Sequence, residues 1–276
     1  MRFCITANPK IKGTVDVARR VMQHLESRGE EVVLEKEIAN FLRKGGGIHL
    51  EDLGKEIKVH VLITIGGDGT VLRALQKCTA PILGINMGHL GFLNEVEPEE
   101  ATTALDRVIE GDYHLEIHNR LRVFVDGESM PPALNEAVIH TSQIAKMREF
   151  SITVDGYNME QFRADALIVA TPTGSTGYSF SAGGPLLDPR VDGMIILPLA
   201  PFRMFRGPSV VPLKSVVKIE ILNKRSCLLV IDGQTERRLK GDETIEITKA
   251  AVPAEFIRFT RDPFASRKRA FRKMRP

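Results

Sequence analysis

Val59-His60-Val61-Leu62-Ile63-Thr64-Ile65-Gly66-Gly67-Asp68-Gly69-Thr70 decides how the chain is read. Its apolar first half has the pattern of a strand buried in a parallel sheet. It leads into Val71-Leu72-Arg73-Ala74-Leu75-Gln76-Lys77-Cys78, whose apolar positions 71, 72, 75 and 78 suit one face of a short helix. A strand that ends in a glycine turn and opens a helix is a phosphate-binding geometry. Glycine lets a ligand come close to the backbone, and the first N–H groups of a helix face an anion. Asp68 lies in the middle of that turn. A carboxylate beside a phosphate is unfavourable unless a cation, a proton or chemistry is involved. The stretch matches neither G-x-x-x-x-G-K-[ST] nor G-x-G-x-x-G. A plainer alternative makes Asp68 only the N-cap of the helix.

Outward from this turn the first part of the chain alternates strand and helix. Residues 2–7 read as a strand, and Thr14 as the cap of a helix with Val17, Ala18, Val21, Met22 and Leu25 on its apolar face, closing at Arg28-Gly29. Glu31–Glu35 reads as a second strand, and Arg43–Lys55, with Gly45-Gly46-Gly47, as a mobile surface loop. A fourth strand, Pro81–Asn86, ends in a second glycine-rich turn, Asn86-Met87-Gly88-His89-Leu90-Gly91-Phe92; Pro98 then begins a helix that stops at Gly111. This is the pattern of a doubly wound, Rossmann-like parallel sheet, in which ligands bind beyond the carboxyl ends of the strands.

After Gly111 the apolar period shortens to two. Arg122–Val125, Ser151–Asp155, Val217–Ile221 and Thr244–Thr248 alternate, and Asp126-Gly127, Asp155-Gly156, Asp232-Gly233 and Gly241-Asp242 supply turns. Residues 112–250 therefore read as an antiparallel, β-rich, sandwich-like domain. Residues 1–111 form the α/β domain, to which Ala254–Thr260 returns as a last strand within a segment of about 251–276.

Composition sets the outer bounds. With 276 residues, 43% hydrophobic and 26% charged, the chain has the makeup of a globular protein with a sizeable core. No run of 18 apolar residues exists, so no membrane span is expected, and the N-terminus reads as a first strand rather than a leader. Cys4, Cys78 and Cys227 have no metal-ligand spacing and read as buried, reduced thiols of a cytoplasmic protein. The net charge of +3 conceals an asymmetry: from Arg261 onward seven Lys/Arg face one acid, Asp262, which leaves the remainder at −3. With no nucleic-acid module elsewhere, the tail reads as a solvated or subunit-contacting end, and no nucleic-acid partner is expected.

The richest segment chemically is Ala170-Thr171-Pro172-Thr173-Gly174-Ser175-Thr176-Gly177-Tyr178-Ser179-Phe180-Ser181-Ala182-Gly183-Gly184-Pro185, which follows an apolar strand, Ala166–Ala170. Its hydroxyls alternate with Gly and Pro on a turning backbone, which suits a polyhydroxylated, phosphorylated ligand. Asn135-Glu136 interrupts the apolar strand Leu134–Ile139, marking either an edge or a ligand contact, and Asp232-Gly233-Gln234 reads most simply as a hairpin turn. No histidine pair has zinc spacing, and Gly174-Ser175 is not a G-x-S-x-G elbow.

Taken together, Gly66-Gly67-Asp68-Gly69-Thr70, Asn86-x-Gly-x-Leu-Gly-Phe92, the pair Asn135-Glu136 and Thr171–Pro185 resemble the NAD kinase family over essentially the whole chain. One departure is Gly177, where that family commonly has alanine. The resemblance implies phosphoryl transfer from ATP or polyphosphate to the 2′-hydroxyl of the adenosine ribose of NAD, giving NADP, with a divalent cation such as Mg²⁺. It makes Asp68 the general base or the group orienting that hydroxyl, with Gly67 and Gly69 admitting the phosphate chain. Asn135, Glu136, Asp165, Thr173, Thr176, Gly177, Tyr178, Ser179, Phe180 and Ser181 would hold NAD, with Arg73, Lys146, Arg163 and Gln234 lining the same pocket, between the two domains. It also implies a homodimer or homotetramer formed through the β-rich domain. A kinase of a lipid or sugar alcohol, and a non-catalytic NAD-binding sensor, are the competing readings. The first lacks any amphipathic membrane-binding stretch, and the second leaves an acid in a phosphate cradle without purpose.

Overall fold

The computed structural model describes residues 1–53, 57–88, 91–143, 146–202, 207–262, 264–265 and 268. Lys55, His89 and Leu90 of the two glycine-rich segments, and most of the basic tail, lie outside the described residues. The chain divides into two compact units, Met1–Ile117 together with the segment from Ala254, and His118–Pro253.

In the first unit the strands are β1 (Arg2–Ala7), β2 (Glu31–Leu34), β3 (Val61–Gly66), β4 (Ile82–Asn86) and β5 (His114–His118). The helices are α1 (Thr14–Ser27), α2 (Lys36–Leu42), α3 (Asp68–Leu75) and α4 (Ala101–Ile109). β2, β1, β3 and β4 pair in parallel in that order. Phe3, Ile5, Ala7, Ile63, Ile65 and Leu83 pack with Val17, Val21 and Leu25 of α1 and with Leu105 and Val108 of α4 in one core. Alternate residues of a strand face opposite ways, so Thr6 points to the other side, where its hydroxyl meets Arg73 of α3. Helices thus cover both faces. β1 is followed by β2 on one side and β3 on the other, so the strand order reverses between β1 and β3. In open α/β sheets the ligand crevice lies at such a reversal, beyond the strands' carboxyl ends.

Two local expectations fail here. Helix α1 starts from Gly13, at φ 84°, with Thr14 as its first residue and its hydroxyl buried rather than capping. The segment expected as a mobile surface loop is exposed over 43–46, but from Gly47 to Leu53 it packs: Ile48 bridges to Glu35, Leu50 and Leu53 are buried, and a Cβ on Gly47 would lie 2.7 Å from Ala39 Cβ.

Among the described residues the second unit has twelve strands: β6 (Leu121–Val125), β7 (Glu128–Ser129), β8 (Glu136–Thr141), β9 (Arg148–Val154), β10 (Tyr157–Ala164), β11 (Ala166–Ala170), β12 (Gly193–Leu199), β13 (Ser209–Pro212), β14 (Val217–Ile221), β15 (Cys227–Ile231), β16 (Thr235–Leu239) and β17 (Ile245–Lys249). They form two antiparallel six-stranded sheets, ordered β10-β9-β14-β17-β6-β7 and β13-β12-β11-β8-β15-β16. Val123, Phe150, Ile152 and Val217 from one sheet pack against Ile139, Leu167, Val169 and Leu229 from the other, as in a β-sandwich. The outer face of the second sheet is apolar in its middle, where Val138, Ala166, Ile168, Ala170, Ile195 and Leu197 are covered by Ala182 and Leu187. β11 is therefore buried on both faces, which is why its sequence is an unbroken apolar run. A last strand, β18 (Ala254–Arg258), pairs with β4 and closes the first sheet beside β5.

Candidate active site

The Gly66–Thr70 turn sits at the carboxyl end of β3. Gly66 is required by packing, since a Cβ there would lie 2.2 Å from Thr70 Oγ1. Gly67 and Gly69 are different: a Cβ on either would meet no atom within 4 Å. Their bareness serves nothing inside the chain and leaves an open cradle over the start of α3.

Asp68 does not cap its own helix; Gly67 occupies that position, with no side-chain cap. Its carboxylate turns to the second glycine turn, where Oδ2 accepts the Phe92 N–H at 2.8 Å and Oδ1 accepts the Leu93 N–H at 3.2 Å and Asn94 Nδ2 at 2.9 Å. Burial pushes the Asp68 carboxyl above its usual value, opposed by those three donors and by the nearby charge of Arg258. A partly buried carboxylate of raised basicity at the mouth of a phosphate cradle is the chemistry expected of a base.

Arg73 is otherwise engaged. Its guanidinium forms a bidentate pair with Glu35, at 2.6 and 2.8 Å, and also donates to Thr6 Oγ1. Its charge is thus largely matched within the first unit.

In the second unit the expected NAD contacts fall into two groups. One gathers at the start of β8. Asp232, in the turn between β15 and β16 with φ 51°, accepts the N–H groups of Leu134, Asn135 and Glu136 at 2.7, 2.8 and 3.0 Å. That tie brings Gln234, exposed in the same turn, to the end of the sheet that holds Asn135 and Glu136. The Thr171–Ser181 segment folds over the same end as a turn of 3-10 helix, Gly174–Thr176, followed by α5 (Tyr178–Ser181). A Cβ on Gly174 would lie 2.1 Å from Asn135 O, so only glycine allows this approach.

Several of the hydroxyls turn out to be structural. Thr171 Oγ1 donates to Leu134 O at 2.5 Å, Ser175 Oγ to Pro172 O at 2.6 Å, and Thr176 Oγ1 to Thr173 O at 3.0 Å. Thr173 Oγ1 is held by His118 Nδ1 at 2.7 Å. Ser179, expected to contact ligand, is fully buried with Gly184 backed against its hydroxyl, whereas Tyr178, Phe180 and Ser181 are exposed. The dense hydroxyl pattern has a second cause besides ligand recognition: a tight buried turn consumes side-chain donors where strand pairing has stopped.

Glu136 is the most unusual group of this corner. It is 8% exposed, its Oε2 has no partner among the described residues, and Gly177 packs close beside it, a Cβ there standing 3.0 Å away. Burial, reinforced by the charge of Asp232, raises its carboxyl to about 8, opposed only by a hydrogen bond from the Tyr178 backbone. Asp232 is pushed up to about 6 by its own burial, but three backbone N–H groups favour its charged form. The proton of the pair therefore resides on Glu136 at neutral pH. Its folded-state value lies above the unfolded one, so it contributes stability that is complete below about pH 4.5 and is lost as pH rises to about 8. E136Q, neutral throughout, should be more stable than the parent at pH 8.5 by on the order of a few kcal/mol and nearly equal at pH 5. Urea unfolding across that range measures it, and parallel stability curves would count against a protonated Glu136.

The other group, Lys146, Arg163 and Asp165, lies at the opposite end of the same strands. Ala170 pairs with Glu136 and Ala166 with His140, so Asp165 stands roughly 17 Å along β11 from Ala170 at the usual rise per residue. Lys146 and Arg163 line a cleft of about 430 Å³ with Glu149, Phe202, Asn223 and Arg225. One chain does not bring these residues together with Asn135 and Glu136, contrary to the expectation of a single pocket.

Four contributors escaped the sequence reading: Asn94 and Arg258 at Asp68, Asp232 at the 134–136 backbone, and His118 at Thr173. Among the described residues no cluster of His, Cys, Asp and Glu could by itself hold a metal ion. Nor is any helix long and apolar enough to cross a membrane. Cys4, Cys78 and Cys227 are in no disulfide and are buried.

Comparison with known proteins accounts for both units. Residues 3–113 match the ATP-NAD kinase N-terminal domain, and residues 134–259 the ATP-NAD kinase C-terminal domain. The chain is 42% identical over 267 residues to the NAD kinase of Pyrococcus abyssi, covering 95% of each. It is 40% identical over 269 residues to that of Methanothermobacter thermautotrophicus, covering 95% of this chain and 93% of the other. Among solved structures, an NAD kinase from Archaeoglobus fulgidus in complex with ATP superposes with a TM-score of 0.77 at 31% identity, over 99% of this chain and 98% of that one. Yeast NADH kinase shares the fold, with a TM-score of 0.86 at 24% identity over 96% of this chain and 85% of that one. With both family domains matched in order and relatives at 40–42% identity along nearly its whole length, the chain belongs to the ATP-NAD kinase family.

Proposed function

We propose that the chain transfers the γ-phosphoryl group of ATP to the 2′-hydroxyl of the adenosine ribose of NAD, releasing ADP, NADP and a proton. The observation that carries this is Asp68: a carboxylate of raised basicity, fixed by three donors, beside a cradle that Gly67 and Gly69 leave empty. Phosphoryl transfer depends mainly on positioning and charge neutralisation. Asp68 accepts the hydroxyl proton as the oxygen attacks, and the N–H groups at the start of α3 receive phosphate oxygens. Both Asp68 oxygens already accept hydrogen bonds, and the absence of a metal cluster among the described residues fits a divalent cation carried on the donor phosphates. Such an ion, Mg²⁺ by preference, would neutralise phosphate charge when bound.

The first unit is assigned the donor phosphates and the second the dinucleotide, read by Asn135, Glu136, Thr176, Tyr178 and Gln234. Because β11 is buried on both faces, no ligand can run along it from Glu136 to Asp165. If Lys146, Arg163 and Asp165 also hold NAD, they do so for a second copy, which is the reason to infer a homodimer or homotetramer. Three buried cysteines outside any disulfide suit a cytoplasmic setting. The family match along both units leaves the lipid- or sugar-alcohol kinase and the sensor without support.

The test is purified protein with NAD, Mg²⁺ and ATP, then polyphosphate in place of ATP, with NADP read by an NADP-specific dehydrogenase. NADP formed with ATP is expected. No NADP with either donor, while NAD still binds, would overturn the assignment; NADP from polyphosphate alone would replace the donor.

A further inference from the structure

Arg258, at the end of β18, is 3% exposed and reaches toward the turn that holds Asp68. Its Nε donates to Glu116 Oε2 at 2.6 Å, and its Nη1 donates to Leu93 O at 3.0 Å and to Glu95 Oε2 at 3.4 Å. The guanidinium lies 4.9 Å from the centroid of the Phe256 ring, and Glu95 Oε1 accepts the Phe259 N–H at 3.2 Å. Leu93 is therefore gripped on both sides of its backbone: Arg258 takes its carbonyl while its N–H goes to Asp68 Oδ1. The neighbouring Phe92 N–H and Asn94 side chain complete the seat of the carboxylate. A buried, forked cation anchored by two carboxylates is a rigid support, since the guanidinium plane is preorganised for several acceptors at once. Glu95 and Glu116 match its charge so that it can remain buried.

We propose that Arg258 is a positioning residue for phosphoryl transfer, acting through Leu93 to hold the Phe92–Asn94 turn against Asp68 and so aim the carboxylate at the acceptor hydroxyl. The proposal rests on the kinase reading of Asp68. It extends that reading to a buried residue far along the chain from Asp68. The charged groups at this point are Asp68, Arg258, Glu95 and Glu116, and Glu97 accepts the Asn86 side-chain amide close by. Arg258 also opposes the upward push of burial on Asp68, which supplies a readout that a merely structural role would not move.

R258Q is expected to lower kcat about 10–100-fold while both KM values stay within about threefold, because the loss is one of aim rather than of binding. The acid limb of its kcat–pH profile should move to higher pH, since the positive charge near Asp68 is gone. R258K keeps that charge without the fork. It should lose about 3–10-fold in kcat with the acid limb in place. Removing the charge takes this cation away from the buried Glu95 and the partly exposed Glu116, so circular dichroism and thermal unfolding accompany each variant; if R258Q does not fold, R258K decides. Parent-like kcat in either folded variant overturns the proposal. So does a loss of kcat in R258Q with an unmoved acid limb, which marks structural damage alone. A parent chain that makes no NADP overturns the kinase reading together with it, whereas an active parent whose folded Arg258 variants keep its kcat overturns this proposal alone.

Discussion

D68N is expected to lower kcat by about 10²–10⁴-fold, the contribution of a well-placed general base, while NAD binds within a few-fold of the parent. The side chains are nearly isosteric, so the turn should survive, though not untouched. The carboxylate accepts on both oxygens, from Phe92 on one and from Leu93 and Asn94 on the other. An amide can accept on only one side, so a donor is left facing a donor, at about 1–3 kcal/mol. Thermal unfolding should register that cost separately from turnover. Steady-state kinetics by the coupled NADP assay, with calorimetric binding of NAD, give the two numbers needed. A kcat within tenfold of the parent would remove Asp68 from proton transfer and leave it the task of orienting the hydroxyl. Loss of NAD binding in parallel with kcat would show that the substitution had damaged the site instead. The pH dependence carries a sign as well: Asp68 must be ionised to accept a proton, so its upward displacement by burial places an acid limb in the parent profile above the ordinary aspartate range. In D68N that limb should disappear from whatever activity remains.

What could be read from the sequence was what local chemistry determines. The passage from β3 through Gly66–Thr70 into α3 shows because a fully buried strand leaves an unbroken apolar run and because glycine is the residue a phosphate cradle requires. β11 shows for the same reason, having apolar cover on both faces. The supports of the site did not show, because each arrives from far along the chain with an ordinary local sequence. Asn94 meets Asp68 across 26 residues, His118 meets Thr173 across 55, Asp232 meets Leu134 across 98 and Arg258 meets Leu93 across 165. Asp232-Gly233 is both a hairpin turn and the anchor of the 134–136 backbone, and only the fold reveals the second role. Helix α2 was missed for a different reason. It has seven residues, no side-chain cap, and a Phe41 that is 54% exposed, so its amphipathic stripe is too short and too blurred to register.

The hydroxyl-rich segment shows how function and packing share one sequence. Thr171, Gly174 and Ser175 belong to the segment whose composition suits a phosphorylated ligand, yet the structure uses them to close the turn over β8. Thr171 binds Leu134 O, its hydroxyl also receives the Gly174 N–H at 3.0 Å, and Ser175 ties the segment to Leu187. Tyr178, Phe180 and Ser181 are what this scaffold presents outward.

G174A should accordingly be among the most damaging single-methyl changes in the second unit. The added Cβ would stand 2.1 Å from Asn135 O and 2.5 Å from Asn135 C, both backbone atoms with no rotamer by which to move away. The Asn135 carbonyl is also the acceptor for the Thr171 N–H at 2.8 Å, so relief by shifting either strand breaks a buried hydrogen bond. The expected cost is about 3 kcal/mol or more, at the upper end of overpacking effects. That should lower Tm by roughly 5–10 °C for a chain of this size. Because the displaced residue is Asn135, next to Glu136, the KM for NAD should rise more than the KM for ATP. G177A provides the contrast. Its Cβ would meet Glu136 Oε2 at 3.0 Å and Gly174 O at 3.3 Å. The nearer of these is the tip of a side chain, which can give by a few tenths of an ångström, and the cost should stay below about 1 kcal/mol. Calorimetric unfolding of the two variants side by side measures the difference. Equal, small shifts in Tm would mean that the backbone of Asn135 yields as easily as a carboxylate, and that the Gly174 contact does not fix the turn over β8.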